Sequence, residues 1–264
     1  MKKIVLLSFA VAIFAGISFY SCSQVKKDNT PWKSLQDGNT LNGWIVKGGE
    51  AEYTVADGVI TGTTKKDTPN TFLTTKEYYG DFILELDFMV DSTMNSGIQI
   101  RSNSFPYYQD GRVHGYQIEI DPSKRAWSAG IYDEGRRKWL HPLADDNLEA
   151  KKAFNKKGWN HYRIEAIGDT LKTWINNIPA SHLIDDKTAS GFIGLQVHRI
   201  HGKQKAGTTI SWKNIKILTD NLEAYSTKTP LKPIITKNQL TAHESKTGWK
   251  MLWDGKTTQG WKGA

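Results

Sequence analysis

The feature that most constrains this chain is a succession of short runs in which every second residue is apolar. Phe82, Leu84, Leu86 and Phe88 form one such run. Gly97–Arg101, Tyr116–Asp121, Tyr162–Ala166, Leu171–Ile175, Ile193–His198, Ile210–Trp212 and Ile215–Ile217 behave alike, with Asn176-Asn177 as a turn pair. Alternation of this kind puts one face of a strand in a core and the other outside it. Asp145 to Phe154 is the one stretch with a short helical reading. Many strands separated by turn residues, with no long 3.6-residue period, predict an all-β, antiparallel sandwich.

Ahead of the strands, Lys2 and Lys3 precede an apolar run from Ile4 to Phe19, followed by Ser21-Cys22-Ser23. Such a run is short of the roughly 20 residues a membrane span needs and reads as a secretory signal over 1–21. Cys22, the only cysteine, resembles the lipidated residue of a bacterial lipobox. The expectation is an exported protein, lipid-anchored in the cell envelope on the periplasmic side of the outer membrane or at the cell surface. Its membrane contact would run through that anchor alone. A single cysteine excludes internal disulfides and multi-cysteine zinc sites. The formal charge of +8 is scattered and accompanies no nucleic-acid motif, so no nucleic acid is expected as partner.

Residues 22–30 read as a tether, 31–222 as the sandwich and 223–247, with Pro230 and Pro233, as a linker. Trp32–Trp44 (WKSLQDGNTLNGW) then recurs as Trp249–Trp261 (WKMLWDGKTTQGW), identical at 8 of 13 positions. Residues 248–264 are therefore expected to open a second copy of the domain, of which this chain holds a fragment; the alternative is a C-terminal strand that completes the first sandwich.

Function is sought on the non-core faces. With Ile98 and Ile100 inward, Gln99 and Arg101 point out. With Tyr116, Ile118 and Ile120 inward, Gln117, Glu119 and Asp121 point out. With Ile193, Leu195 and Val197 inward, Gln196 and His198 point out. Amides, carboxylates, an arginine and a histidine make directed, multi-point hydrogen bonds of the kind a sugar demands. Glu119 and Asp121 lie about 6.5 to 7 Å apart along one strand. Such a pair suits proton transfer, by separating two pKa values, or cation binding, with calcium the candidate. His198, at a strand end, suits general acid or base work; His198 and His201 lack a third partner for zinc. The segment Trp127–Leu140 places Tyr132, Arg137 and Trp139 between glycines, either as a simple hairpin turning at Asp133-Glu134-Gly135 or as a cover for a site. Ten Trp and ten Tyr serve sheet packing and sugar stacking alike. No G-x-S-x-G, phosphate-cradling glycine loop, H-E-x-x-H or dinucleotide fingerprint is present.

Six segments carry a family resemblance: DGNTLNGW (37–44), NSGIQIR (95–101), GYQIEID (115–121), WNHYRIEAIGD (159–169), WINN (174–177) and GFIGLQVH (191–198). In that order they resemble the 3-keto-disaccharide hydrolase family across about Trp32 to Leu218. The resemblance implies a concanavalin-like jelly-roll sandwich with sugar on one sheet. It also implies action on glycosides oxidised at C3: proton abstraction at C2, elimination at C1, then hydration. On that reading Glu119 and His198 are base and acid in either order, and Arg101 steadies the enolate. Gln99, Gln117, Asp121, Tyr132, Arg137, Trp139 and Gln196 bind substrate. No organic cofactor is implied. Two alternatives stand beside it. Glu119-Ile120-Asp121 resembles the E-x-D core of laminarinase-like retaining endoglycosidases, but Pro122, Ser123 and Lys124 stand where a further carboxylate is required. A non-catalytic carbohydrate-binding module of a glycan-uptake system also fits the anchor and the aromatic content.

Overall fold

The computed structural model describes residues 31–261 apart from 203, 237–239, 241, 254–256 and 258. The signal over 1–21, the tether and Cys22 lie outside the described residues. In chain order the strands begin with β1 (Lys33–Ser34), β2 (Trp44–Gly48), β3 (Glu52–Ala56), β4 (Val59–Thr63) and β5 (Thr71–Thr75). Next come β6 (Phe82–Val90), β7 (Ser96–Asn103), β8 (His114–Ile120), β9 (Ile131–Glu134) and β10 (Lys138–His141). Helix α1 (Leu148–Ala153) leads into β11 (Asn160–Ile167), β12 (Thr170–Ile175), β13 (Ile178–Ile184), β14 (Phe192–Val197) and β15 (Thr209–Leu218). Helix α2 (Leu222–Tyr225), β16 (Ile234–Ile235) and helix α3 (Ala242–Lys246) follow.

Two sheets result. One runs β16-β13-β12-β11-β6-β15-β4-β3 with β1 beside the far half of β15; the other runs β10-β9-β8-β7-β14-β5-β2. All pairings are antiparallel except β13 with β16. This is the antiparallel sandwich that the strand pattern predicts, in the concanavalin-like jelly-roll form that the family resemblance implies. Leu84, Leu86 and Phe88 from β6 meet Ile98, Ile100, Ile118, Ile120 and Leu195 in one core between the sheets. Tyr162 sets its ring edge-on to Phe88 at 4.5 Å and donates through its hydroxyl to the Glu119 carbonyl at 2.5 Å, tying the sheets together.

The alternation reads most strands correctly and two details less well. Ile210–Trp212 and Ile215–Ile217 belong to one strand, β15, interrupted by an irregularity between Lys213 and Lys216 where Asn214 takes φ 53°. In β7 the register slips between Ile100 and Asn103, and Arg101 adopts φ 44°. A bulge inserts a residue, and every later side chain changes face. Ser102, rather than Arg101, therefore sits beside Gln99, its hydroxyl 2.7 Å from Gln99 Oε1.

The helical reading near 145–154 condenses to α1, where Asn147 caps the Ala150 amide at 3.3 Å. The segment read as a linker lies partly along the first sheet. Lys172 reaches the Thr227 carbonyl, His182 the Leu231 carbonyl, and Ile234–Ile235 run parallel to Leu183–Ile184. Beyond it, Trp261 Nε1 donates to the Leu252 carbonyl at 3.1 Å, as Trp44 Nε1 does to Leu35 at 2.8 Å. The repeat thus makes the same tryptophan-to-carbonyl hydrogen bond. Trp44 is buried by its sheet, whereas Trp261 is 57% exposed.

Candidate active site

Strands β8, β7 and β14 are adjacent, so the three polar faces merge into one. Register aligns Tyr132, Gln117, Gln99 and Gly194 in a row across the second sheet. The next row pairs Gly97 with Glu119. A side chain at Gly97 would come within 2.5 to 2.8 Å of the Gln117 side chain, and one at Gly194 within 3.2 Å of Gln99 Cβ. These glycines clear the space in which the glutamines lie flat on the sheet.

Above this floor opens a cleft of about 820 Å³. Gln117 and Glu119 line its base, Tyr132 and Trp139 one wall, and His198 with Asn70 the opposite side. The loop Gln109–Val113, between β7 and β8, forms a further rim. Within Trp127–Leu140, β9 and β10 pair as a hairpin, and Tyr132 and Trp139 line the cleft. Trp139 packs edge-on against Tyr132 at 5.2 Å and Trp127 at 4.8 Å.

Glu119 is 4% exposed. Asn95 Nδ2 donates to its Oε1 at 2.6 Å and Gln117 Nε2 to its Oε2 at 2.9 Å, while Arg125 Nη2 stands 3.4 Å from Oε1. Burial outweighs these donors and pushes its carboxyl up to about 7. His198 moves the other way: burial holds its imidazole below the ordinary value. Its Nδ1 lies 2.7 Å from the Arg199 carbonyl. A carbonyl only accepts, so Nδ1 carries the hydrogen and neutral His198 keeps a bare lone pair on Nε2. Strand spacing puts the Glu119 and His198 Cα atoms on the order of 12 Å apart, which leaves room for a sugar ring between their side chains.

Several expected site residues serve elsewhere. Arg101 is buried and leaves the cleft, its guanidinium donating to the Gly80 and Gly168 carbonyls at 2.8 and 2.7 Å and to Asp81 at 2.8 Å. The bulge described above is the cause. Arg137 bonds Asp133 at 2.6 Å and Asp185 at 2.8 and 3.0 Å, inside a buried cluster away from the cleft lining. Asp121 accepts from Ser123, Arg125 and Trp127 and so organises the loop after β8. Burial acts to raise its carboxyl, but Ser123 and Arg125 outweigh that and hold it below the carboxylate range. Gln99 and Gln196 are wholly buried beneath the lining, bonded to Gln117 rather than open to a ligand.

Sequence reasoning missed Asn95, Arg125, Arg112 and Glu134, all of which line the cleft. Arg125 lies 2.8 Å from Asp121 and 4.7 and 4.9 Å over Trp127 and Trp139. Burial raises the Glu134 carboxyl, with Arg112 at 3.5 Å offsetting part of it. Asn95 had a signal, two residues before Gly97 on the same face; Arg125 sits in a loop with no periodicity to place it. Among the described residues no group of three His, Cys, Asp or Glu converges as for a metal ion. The Glu119–Asp121 pair considered for calcium is bridged by the Arg125 cation.

The sandwich and its cleft define a concanavalin-like domain with a buried glutamate and a half-buried histidine lining one sheet's cleft. The chain belongs to the 3-keto-alpha-glucoside-1,2-lyase-like domain family, whose profile matches residues 31–218. It resembles a solved protein from Parabacteroides distasonis ATCC 8503, provisionally assigned as a glycosyl hydrolase, at 17% identity and TM-score 0.51, over 71% of this chain and 93% of that one. A second structure from that organism, with the same provisional assignment, is 22% identical at TM-score 0.48, covering 70% and 98%. A carbohydrate-binding module from Bacillus subtilis is 17% identical at TM-score 0.45, covering 67% and 95%. No curated protein matches the chain by sequence.

Proposed function

We propose that this domain cleaves glycosides already carrying a ketone at C3, by elimination followed by hydration. The observation that carries the reading is that two groups with oppositely shifted acidities line one cleft: His198 with a free Nε2 lone pair, and Glu119 with its carboxyl raised to about 7. Environments that push an acid up and a base down assign the roles. His198 Nε2 takes the C2 proton, which the neighbouring ketone has made acidic. The C2–H electron pair forms the C1=C2 double bond, and the C1–O bond breaks. Glu119 gives its proton to the departing oxygen. Water then adds across C1=C2, its hydroxyl joining C1, and returns the 3-keto sugar. Charge grows on the C3 oxygen during the first step, and a fixed cation lowers that barrier. Arg101 is too remote for this; Arg125, gripped by Asp121 and stacked on two tryptophans, is the cation best held at the cleft. Tyr132 and Trp139 supply the stacking wall. In the cell envelope the domain would work tethered through lipidated Cys22.

The test is release of the leaving group from a 3-keto-glucoside and from its unoxidised parent. Release from the keto form alone is expected. Release from the parent would point to ordinary glycosidase action. Binding of the parent glycan without release from either form would leave the aromatic wall as a lectin-like surface.

A further inference from the structure

The buried amides that do not touch the cleft form a chain with a direction. Ser102 Oγ has one hydrogen and three acceptors in reach, Gln99 Oε1 at 2.7 Å, the Ile100 carbonyl at 3.0 Å and the Tyr116 carbonyl at 3.4 Å, and the nearest, Gln99 Oε1, takes it. That commits the Gln99 NH2 group to the opposite side, where it donates to Gln117 Oε1 at 2.6 Å. Gln196 Nε2 donates to the same oxygen at 2.9 Å. Both lone pairs of the Gln117 carbonyl are then filled, so its own NH2 group is left to meet Glu119 Oε2 at 2.9 Å. Turning the Gln117 amide over would set its NH2 against two other NH2 groups, with no acceptor between them. The far oxygen, Gln196 Oε1, is buried without a partner, an uncommon and unfavourable state. The orphaned acceptor is what this orientation costs, and the alternative would oppose two carbonyl oxygens at Gln117.

We propose that Ser102, Gln99 and Gln196 are positioning residues that lock the Gln117 amide so that its NH2 group, and not its carbonyl, faces Glu119. None of the three reaches the cleft, and Gly97 and Gly194 supply the room the chain needs. The lock stabilises the carboxylate that Glu119 becomes once its proton has gone to the leaving group. It therefore keeps a deeply buried carboxyl a strong enough acid to give that proton up. This inference rests on the reading of Glu119 as the proton donor. The charged and titratable groups facing Glu119 are Arg125 and Asp121 beyond its own strand, Tyr132 from β9 and Tyr162 from the opposite sheet. Glu134, Arg112 and His198 also line the cleft. None of these contacts Ser102, Gln99 or Gln196 through a hydrogen bond.

The experiment is a carbon-13 titration of glutamate side-chain carboxyls in the whole protein, the Glu119 signal being the one lost in Glu119→Gln. Gln99→Met and Gln196→Met keep volume and remove one donor each; Ser102→Ala is the gentler variant should either fail to fold. With the lock gone, the Gln117 carbonyl can turn to accept from a protonated Glu119. The Glu119 midpoint should rise by about one pH unit in each Met variant and by less in Ser102→Ala. The alkaline limb of the activity profile should move with it. Superimposable Glu119 titrations in native protein and both Met variants would overturn the lock. The titration needs no turnover, so loss of the functional reading alone would show as an active Glu119→Gln with the carboxyl shifts intact.

Discussion

The outer faces of the two sheets are built from the same alternating pattern and solve the burial of a glutamate in opposite ways. On the first sheet Glu85 receives Arg163 at 2.6 Å and Lys216 at 2.9 Å, and Arg163 also holds Glu165 at 2.8 Å. Burial acts to raise the Glu85 carboxyl, but the two cations outweigh it and keep it below the ordinary range. On the second sheet Glu119 is surrounded by amides, with one arginine at 3.4 Å, and burial wins. Full countercharge makes a carboxylate inert, whereas neutral donors leave it able to gain and lose a proton near neutrality. The contrast is what supports the proposal that the second sheet is the functional one.

The largest expected effect that would break this contrast is on turnover. Glu119→Gln should slow release of a poor leaving group by roughly 10²- to 10⁴-fold. A nitrophenyl leaving group, needing no proton, should recover most of that loss, whereas His198→Ala should stay slow with either group. Equal losses for both leaving groups in Glu119→Gln would remove the acid assignment.

Arginines that look alike in sequence should separate next. Arg137→Met takes the arginine from the buried Asp185, while Asp133 keeps Arg136 at 2.7 Å, and is expected to cost about 3–5 kcal/mol of stability in denaturant unfolding. Arg125→Met, at a half-exposed position, should cost far less stability and lower kcat. A stability loss in Arg125→Met equal to that in Arg137→Met would reassign Arg125 to structure.

The two glutamates should also carry opposite pH signs. The folded carboxyl of Glu119 lies above its ordinary value of 4.5, at about 7. Its stabilising contribution is complete below pH 4.5 and fades as pH rises through 7, amounting to about 3 kcal/mol by linkage. Glu85, held low, contributes stability above its ordinary value that is lost as pH falls through its folded midpoint. Glu119→Gln should therefore diverge from the native protein in unfolding between pH 4.5 and 8, and Glu85→Gln below pH 4.5, with opposite pH dependence. Activity should be bell-shaped, rising as His198 loses its proton below 6.5 and falling as Glu119 loses its own near 7. The smallest effect belongs to the half-exposed Lys216: Lys216→Met should cost at most about 1 kcal/mol and leave activity unchanged.

The sequence by itself determined the sandwich, the strands and most of the site's floor. An alternating run admits one inward face, and once Ile98, Ile118 and Leu195 are inward, Gln99, Gln117, Glu119 and Gln196 must share the other side. Tyr132 and Trp139 follow from the hairpin that carries them. The tertiary structure alone decided the arginines. One extra residue in β7 turned Arg101 away, a displacement that periodicity cannot register because the bulge depends on pairing with β8 and β14. Arg137 was claimed by Asp185, 48 positions distant, and Arg125 reached the cleft through a loop folded around Asp121. Local alternation is written in neighbouring residues, whereas the destination of a long, charged side chain is set by whichever distant carboxylates and carbonyls the finished fold brings within reach.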